Sequence, residues 1–176
     1  MNLNREYKAI NAAIDDYRAR LEIIPDELFT ATPPGGGWSY AEVYSHIIKA
    51  SLGSSIALER CINGNRPQAK KKLTLPGRYM MLTGKFPPVR IKMSESLEAK
   101  MPAEKISKED AKNALVKCRK RVEYVFPLIK NAPVNSRNEH PRLGMLTAGQ
   151  WFKFIRIHFY HHLKQLNRIE KKFQQK

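Results

Sequence analysis

The stretch "WFKFIRIHFYHHLKQLNRIE", residues 151–170, decides the fold, because its apolar side chains recur at helical spacing. These side chains form one stripe along a predicted helix: Trp151, Phe154, Ile155, Leu166 and Ile169. His158, His161 and His162 lie among them and are three of the five histidines in the chain. Buried imidazoles without a common partner are costly, so this stripe raises the question of what the histidines share.

The composition is that of a soluble globular domain, with 176 residues of which 42% are hydrophobic and 27% charged. We predict a single domain over residues 1–176. No apolar run approaches the roughly 20 residues that span a bilayer, and the N-terminus has no apolar signal core. We therefore expect a cytoplasmic protein without a membrane partner. Cys61 and Cys118 have no paired spacing and are expected to be free thiols.

The net charge of +16 is the most pronounced global property of the sequence. A surface this basic attracts nucleic acid, anionic lipid or acidic metabolites. The basic clusters lie in separate segments, at residues 70–72, 117–121 and 171–172, and no aromatic-interleaved platform accompanies them. We predict a solvated basic surface that supports at most weak, salt-sensitive and non-specific nucleic-acid binding.

Four long helices are predicted in all, and three of them have explicit start signals. The first covers about residues 5–21 and ends before a segment rich in Pro and Gly. The others begin at Ser39, Ser107 and Thr147, each followed three residues later by Glu, Asp or Gln, which is the spacing of a capping box. They are expected to end near residues 62, 130 and 173.

The segment 68–105 has weak periodicity and four prolines, and it predicts a long connection. Within it we expect a short helix near residues 79–82 and an extended piece near 89–93. Four helices with one long crossover between the second and the third describe an all-α four-helix bundle.

The histidines of the fourth helix have the spacing of a metal site. His158 and His162 lie one turn apart on the stripe that faces the bundle interior, and such a pair can chelate one ion. His161 is turned from His162 by about 100° and points to the edge of the stripe. A hydrogen-bonded, purely structural role for the histidines is the alternative.

A zinc or nickel site needs at least one further protein ligand, and His46 is the best candidate. It lies inside the second helix on a line of otherwise small residues, which are Ala50, Gly53 and Ala57. His140 is less suitable, because it precedes Pro141 in a predicted loop, and its backbone is expected to be extended and directed away from the bundle interior.

Two segments resemble the DinB/YfiT-like superfamily. "GGGWSYAEVYSHIIKAS", residues 35–51, resembles the W-S-x-x-E-x-x-x-H opening of that family's second helix. "HPRLGMLTAGQWFKFIRIHFYHHLKQLNRI", residues 140–169, resembles its final segment, with an H-P-x-x-G turn, a T-x-x-Q/E-W helix start and H-x-x-H-H-x-x-Q. The chain length and the crossover are compatible with this family.

The resemblance implies a four-helix bundle in which His46, His158 and His162 hold zinc or nickel. His161 matches a recurrent neighbouring histidine that is not usually a ligand, and Gln165 matches a recurrent polar position that would orient a histidine or a bound water.

The activities implied by the resemblance are metal-dependent hydrolysis and transfer of a low-molecular-weight thiol, such as bacillithiol or mycothiol, in either case on a small-molecule substrate. A non-catalytic bundle that binds metal, nucleic acid or a protein partner is the alternative, and a homodimer is compatible with the sequence. No general base is identified, since Glu42 is expected to cap its helix, and the roles of Glu59, Glu95, Glu98 and Glu139 stay open.

Overall fold

The computed structural model describes residues 1–64, 72–88 and 102–175. Its helices are α1 (Leu3–Ile23), α2 (Asp26–Phe29), α3 (Tyr40–Ile62), α4 (Leu75–Thr83), α5 (Lys108–Leu128) and α6 (Ala148–Gln174). A 3₁₀ turn at Ile129–Asn131 follows α5, and a hairpin of β1 (Asn138–His140) and β2 (Gly144–Leu146) precedes α6. The four long helices confirm the predicted four-helix bundle, and α4 confirms the short helix. The hairpin was not predicted from the sequence, and the extended piece expected near residues 89–93 lies outside the described residues.

The predicted start signals form the expected hydrogen bonds. The Ser39 hydroxyl accepts from the backbone N–H of Glu42, whose carboxylate accepts from the Ser39 backbone N–H at 2.8 Å. Thr147 and Gln150 form the same reciprocal box at the start of α6. Ser107 accepts from the N–H of the aspartate three residues later and donates its hydroxyl to that carboxylate. These bonds satisfy backbone N–H groups that a helix leaves without a partner at its start.

The long crossover follows from the directions of the helices, since α1 and α3 each pack against both α5 and α6. α1 and α6 run parallel, because Glu6 pairs with Arg156 towards one end and Arg20 with Glu170 towards the other. α3 and α5 also run parallel, as two successive contacts show: Ser51 with Cys118, then Glu59 with Arg121. The end of α3 and the start of α5 therefore lie at opposite ends of the bundle, separated by the length of α3, which is 23 residues or about 34 Å.

Aromatic residues from three helices join in the centre of the core. The Tyr17 hydroxyl donates to the Phe159 carbonyl at 3.1 Å, and the Tyr44 hydroxyl donates to the Tyr17 carbonyl at 2.8 Å. The Tyr17 ring makes edge contacts with both other rings, at centroid distances of 5.3 and 5.5 Å. Burial raises the pKa of both tyrosines, so both hydroxyls stay neutral donors that link α1, α3 and α6.

The crossover is attached to the hairpin through two glycines. Leu73 forms a bridge with Gly144, whose φ is +80°. A Cβ atom on Gly144 would lie 2.4 Å from the Lys72 carbonyl oxygen, and one on Gly77 would lie 2.3 Å from the Leu143 carbonyl oxygen. Both positions therefore require glycine for the close approach of α4 to the hairpin.

Cys61 and Cys118 are buried and free, as predicted. Burial raises the pKa of Cys61 to about 11 and also raises that of Cys118, so both remain thiols at neutral pH. In the described part of the chain, no helix combines the length and apolar character needed to cross a membrane.

Candidate metal centre

The site lies where α3 and α6 face each other inside the bundle. The two helices are antiparallel, since Tyr40 stacks on Phe173 at one end while Cys61 lies against the Leu146 carbonyl near the other. This pairing brings together the three candidate ligands, which are 5–9% exposed: His46, His158 and His162.

The ligand atoms converge on one small region. Nε2 of His158 lies 3.4 Å from Nε2 of His46 and 2.9 Å from Nε2 of His162, and the ligand atoms of all three lie within 4.8 Å of one another. Among the described residues, this is the one group of three or more His, Cys, Asp or Glu side chains close enough to share an ion.

Hydrogen bonding alone does not satisfy this arrangement. A ring nitrogen carries either one N–H or one lone pair, so Nε2 of His158 cannot form a good hydrogen bond with both neighbouring Nε2 atoms. A shared cation would engage all three lone pairs. Nitrogens bound at about 2.0–2.1 Å to one tetrahedral ion lie about 3.3 Å apart, close to the distances found here. The donor set therefore fits a divalent metal.

The electrostatics keep the three imidazoles neutral. Burial lowers the pKa of His46 to about 4, and burial together with repulsion between the imidazoles holds the pKa values of His158 and His162 well below 6.5. Neutral imidazole is the form that binds a metal ion, so no ligand needs to lose a proton at neutral pH.

Gln165 hydrogen-bonds with one of these rings. Its Oε1 atom lies 2.8 Å from Nδ1 of His162 and can only accept, so Nδ1 carries the proton and the Nε2 lone pair faces the other two histidines. His46 has no such support, because its buried Nδ1 has no hydrogen-bond partner among the described residues. Its ring instead packs against Trp38, at a centroid distance of 5.0 Å.

The contacts of two aromatic side chains with the site were not predicted from the sequence. The Trp38 ring, which packs against His46, also lies nearly parallel to the His162 ring, at a centroid distance of 6.3 Å. Phe86 follows α4 in the crossover. The centroid of its ring lies 5.8 Å from that of His158 and 4.2 Å from that of His161. The position of Trp38 just before the helix that carries His46 could have indicated that it lies near the site. The sequence contains no comparable indication for Phe86.

His161 lies beside the three-histidine cluster. The centroid of its half-buried ring lies 5.0 Å from that of His162, and its ring nitrogens are not among the three that converge. Burial lowers its pKa, and the positive charges of Arg168 and Lys164 lower it further.

The expectation for His140 was wrong in one respect. Its backbone is extended, but its ring turns towards the bundle and packs against Trp151 and Phe154, with ring-centroid distances of 5.3 and 4.8 Å. The reason is local, because Nδ1 of His140 accepts from the backbone N–H groups of Arg142 and Leu143 and closes the turn. This residue is not among the three converging histidines.

No described carboxylate joins the cluster. Glu42 caps α3 as expected, and Glu59 forms an ion pair between α3 and α5. Glu139 is exposed in β1, while Glu95 and Glu98 lie outside the described residues.

Fold and site together define a class of protein, namely a four-helix bundle with a three-histidine cluster between its second and fourth long helices. The chain belongs to the DinB superfamily, whose family model matches residues 9–166. No curated protein sequence matches the chain significantly.

Solved structures share the fold. One is YfiT from Bacillus subtilis, which is described as a probable metal-dependent hydrolase with an unusual four-helix bundle topology. It matches with a TM-score of 0.66 and 11% sequence identity, and the match covers 98% of this chain and 87% of YfiT. TT2238, described as a four-helix bundle protein, matches with a TM-score of 0.60 and 18% identity, over 95% and 99% of the two chains.

A third similar structure is a mycothiol-dependent maleylpyruvate isomerase, with a TM-score of 0.61 and 8% identity. The match covers 92% of this chain and 59% of the isomerase. At these identities the likeness establishes the fold alone.

Proposed function

We propose that the protein is a metal-dependent enzyme in which His46, His158 and His162 hold one divalent ion, zinc or nickel. The observation that carries this proposal is the convergence of three buried, neutral Nε2 atoms that cannot satisfy one another by hydrogen bonds. The description of YfiT as a probable metal-dependent hydrolase supports it. An ion held by three imidazoles keeps positions open, and there it would lower the pKa of water to about 7 or bind a thiolate.

The side chains around the cluster have separate tasks in this proposal. Gln165 holds His162 in the tautomer that presents Nε2. Trp38 and Phe86 pack against the histidine rings and exclude water from two sides of the site. The apolar surroundings keep the ligands neutral, since burial is the largest cause of their lowered pKa values.

The substrate class is a small molecule, and two reactions suit the site, namely hydrolysis and transfer of a low-molecular-weight thiol such as bacillithiol. Thiol transfer makes the smaller demand on the protein, because a thiol of pKa about 8.5 ionises readily beside a cation, whereas water activation also benefits from a general base. No described carboxylate lies in the cluster to supply that base. The basic surface also suits an anionic thiol.

The lack of a described carboxylate in the cluster also favours a second candidate, which is a non-catalytic metal-binding bundle. A nucleic-acid-binding bundle has less support, because two arginines of the 117–121 cluster are already engaged in ion pairs, Arg119 with Asp15 and Arg121 with Glu59.

Turnover measurements on protein purified without an affinity tag test the proposal. The metal-free protein and its zinc- and nickel-loaded forms would be assayed with a thiol and a fluorogenic electrophile, and separately with simple esters and amides. We expect turnover that needs the metal and is lost in His162→Ala. Metal binding without any turnover would favour the non-catalytic bundle, and turnover that survives in His162→Ala would contradict the proposed site.

A further inference from the structure

Helix α4 presents an apolar face to solvent. Leu75, Tyr79 and Leu82 are spaced at i, i+4 and i+7 and therefore lie on one side of the helix. Their exposed fractions are 79%, 39% and 81%. Gly77 and Met80, on the opposite side, are buried against the hairpin and the bundle. The attachment of α4 to the fold thus uses one face and leaves three large apolar side chains on the other.

Three basic residues lie on α4 or directly beside it in the chain and form its basic rim. Lys72 precedes α4, Arg78 lies beside the apolar side chains on the helix itself, and Lys85 follows its C-terminus. All three are exposed. An exposed apolar patch with polar neighbours marks an interaction surface, and these three charges on and directly beside α4 are all positive.

The orientation of this face is fixed by α6. The Lys153 ammonium donates to the Met81 carbonyl at 2.8 Å, and the Arg156 guanidinium donates to the Gly84 carbonyl at 3.5 Å. Both cations occupy the C-terminal end of α4, where they complement its dipole and its free carbonyls. The exposed leucines are therefore held outward on a rigid element.

We propose that the outer face of α4, formed by Leu75, Tyr79 and Leu82 within its basic rim, docks on an anionic lipid surface. Apolar side chains that stand clear of the protein can enter the region between headgroups and acyl chains, while the lysines and the arginine bind the anionic headgroups. The net charge of +16 attracts the whole molecule to such a surface.

Other occupants fit this face less well. A second copy of the chain would bring two basic rims together and repel. Nucleic acid would use the positive charges but would leave the two leucines in water. The sequence-based expectation of no membrane partner rested on the lack of a spanning segment and a signal core, and neither is needed for docking at the surface.

Vesicle sedimentation in about 0.15 M salt tests this proposal. The wild-type protein should sediment with vesicles of phosphatidylglycerol and phosphatidylcholine and remain in solution with phosphatidylcholine alone. Leu75→Ser/Leu82→Ser should weaken binding at least about tenfold, or about 1.4 kcal/mol. The matched control is Ile23→Ser/Val134→Ser, which alters residues of 73% and 86% exposure elsewhere and should bind as the wild type does. Thermal melts of both double variants establish that they are folded.

Three results would overturn the proposal. The first is no sedimentation with the anionic vesicles, and the second is equal binding by the two double variants, which would make charge alone responsible. The third is a dimer, or a complex with duplex DNA, that is lost in Leu75→Ser/Leu82→Ser while vesicle binding is not.

Discussion

The Nε2 atoms of His158 and His162 lie 2.9 Å apart on successive turns of α6, and both face the α3 helix. This distance is compatible with a hydrogen bond between them, but Nε2 of His46 approaches the same His158 nitrogen at 3.4 Å. The three-way contact distinguishes a shared ligand site from a simple hydrogen-bonded pair, because one ring nitrogen cannot serve two neighbours.

Replacement of His158 by alanine should abolish stoichiometric metal binding, since this residue makes both short contacts in the cluster. His140→Ala is the matched control and should leave binding intact, because Nδ1 of His140 is used by the turn. Metal content after equilibrium dialysis, with circular dichroism to establish folding, measures the difference. One ion bound with unchanged affinity in His158→Ala would exclude the three-histidine site.

The metal-free protein should lose stability as the pH falls from about 6.5 towards 4. The pKa of His46 is about 4 in the folded state and about 6.5 when unfolded, so the unfolded state binds more protons in this window. The contribution of neutral His46 to the free energy of unfolding is fully present above pH 6.5. It declines below that pH, by up to about 3 kcal/mol for His46 alone. Urea denaturation at pH 7 and pH 5 measures it, with His46→Ala as the comparison. Equal pH dependence in the two proteins would show that His46 does not contribute.

Gln165→Leu should weaken metal binding about 10- to 100-fold, because it removes the acceptor that fixes the His162 tautomer. Gln165→Glu keeps an acceptor at this position and should retain the affinity. Competition with a chromogenic chelator gives both values. If the leucine variant bound metal as tightly as the wild type, Gln165 would have no orienting role.

Two glycine replacements should have opposite effects on stability. Gly77→Ala places a Cβ atom 2.3 Å from the Leu143 carbonyl oxygen and should destabilise the protein by about 1–3 kcal/mol. Gly53→Ala meets nothing within 4 Å in the middle of α3, and should stabilise it by about 0.5–1 kcal/mol. Chemical denaturation measures both, and a neutral Gly77→Ala would mean that α4 does not need this close approach.

Thiol titration should count two free thiols in denatured, unreduced protein and find both slow to react in the native state. Cys61 and Cys118 are buried, and burial raises the pKa of each above its ordinary value. A count of zero without reductant would indicate a disulfide or another modification.

The helices of this protein were predictable because their signals are local. Ser39, Ser107 and Thr147 each cap a helix through partners three residues away, and the stripe on α6 is a pattern within one element. The pairing of His158 with His162 is local for the same reason, since one helical turn separates them. His46 could be selected by its spacing and by the resemblance of its segment to the superfamily, but only as a candidate.

Tertiary structure alone decided how the remaining parts of the site are placed. The approach of Phe86 to His158 depends on the packing of α4 against α6, which places the residues that follow α4 beside the site. Such contacts join residues that are far apart in the chain, and their free energy comes from packing and burial that no short segment contains. The start of a helix is determined by the residues of its first turn, whereas the packing of aromatic side chains around this site is determined by the arrangement of the whole bundle.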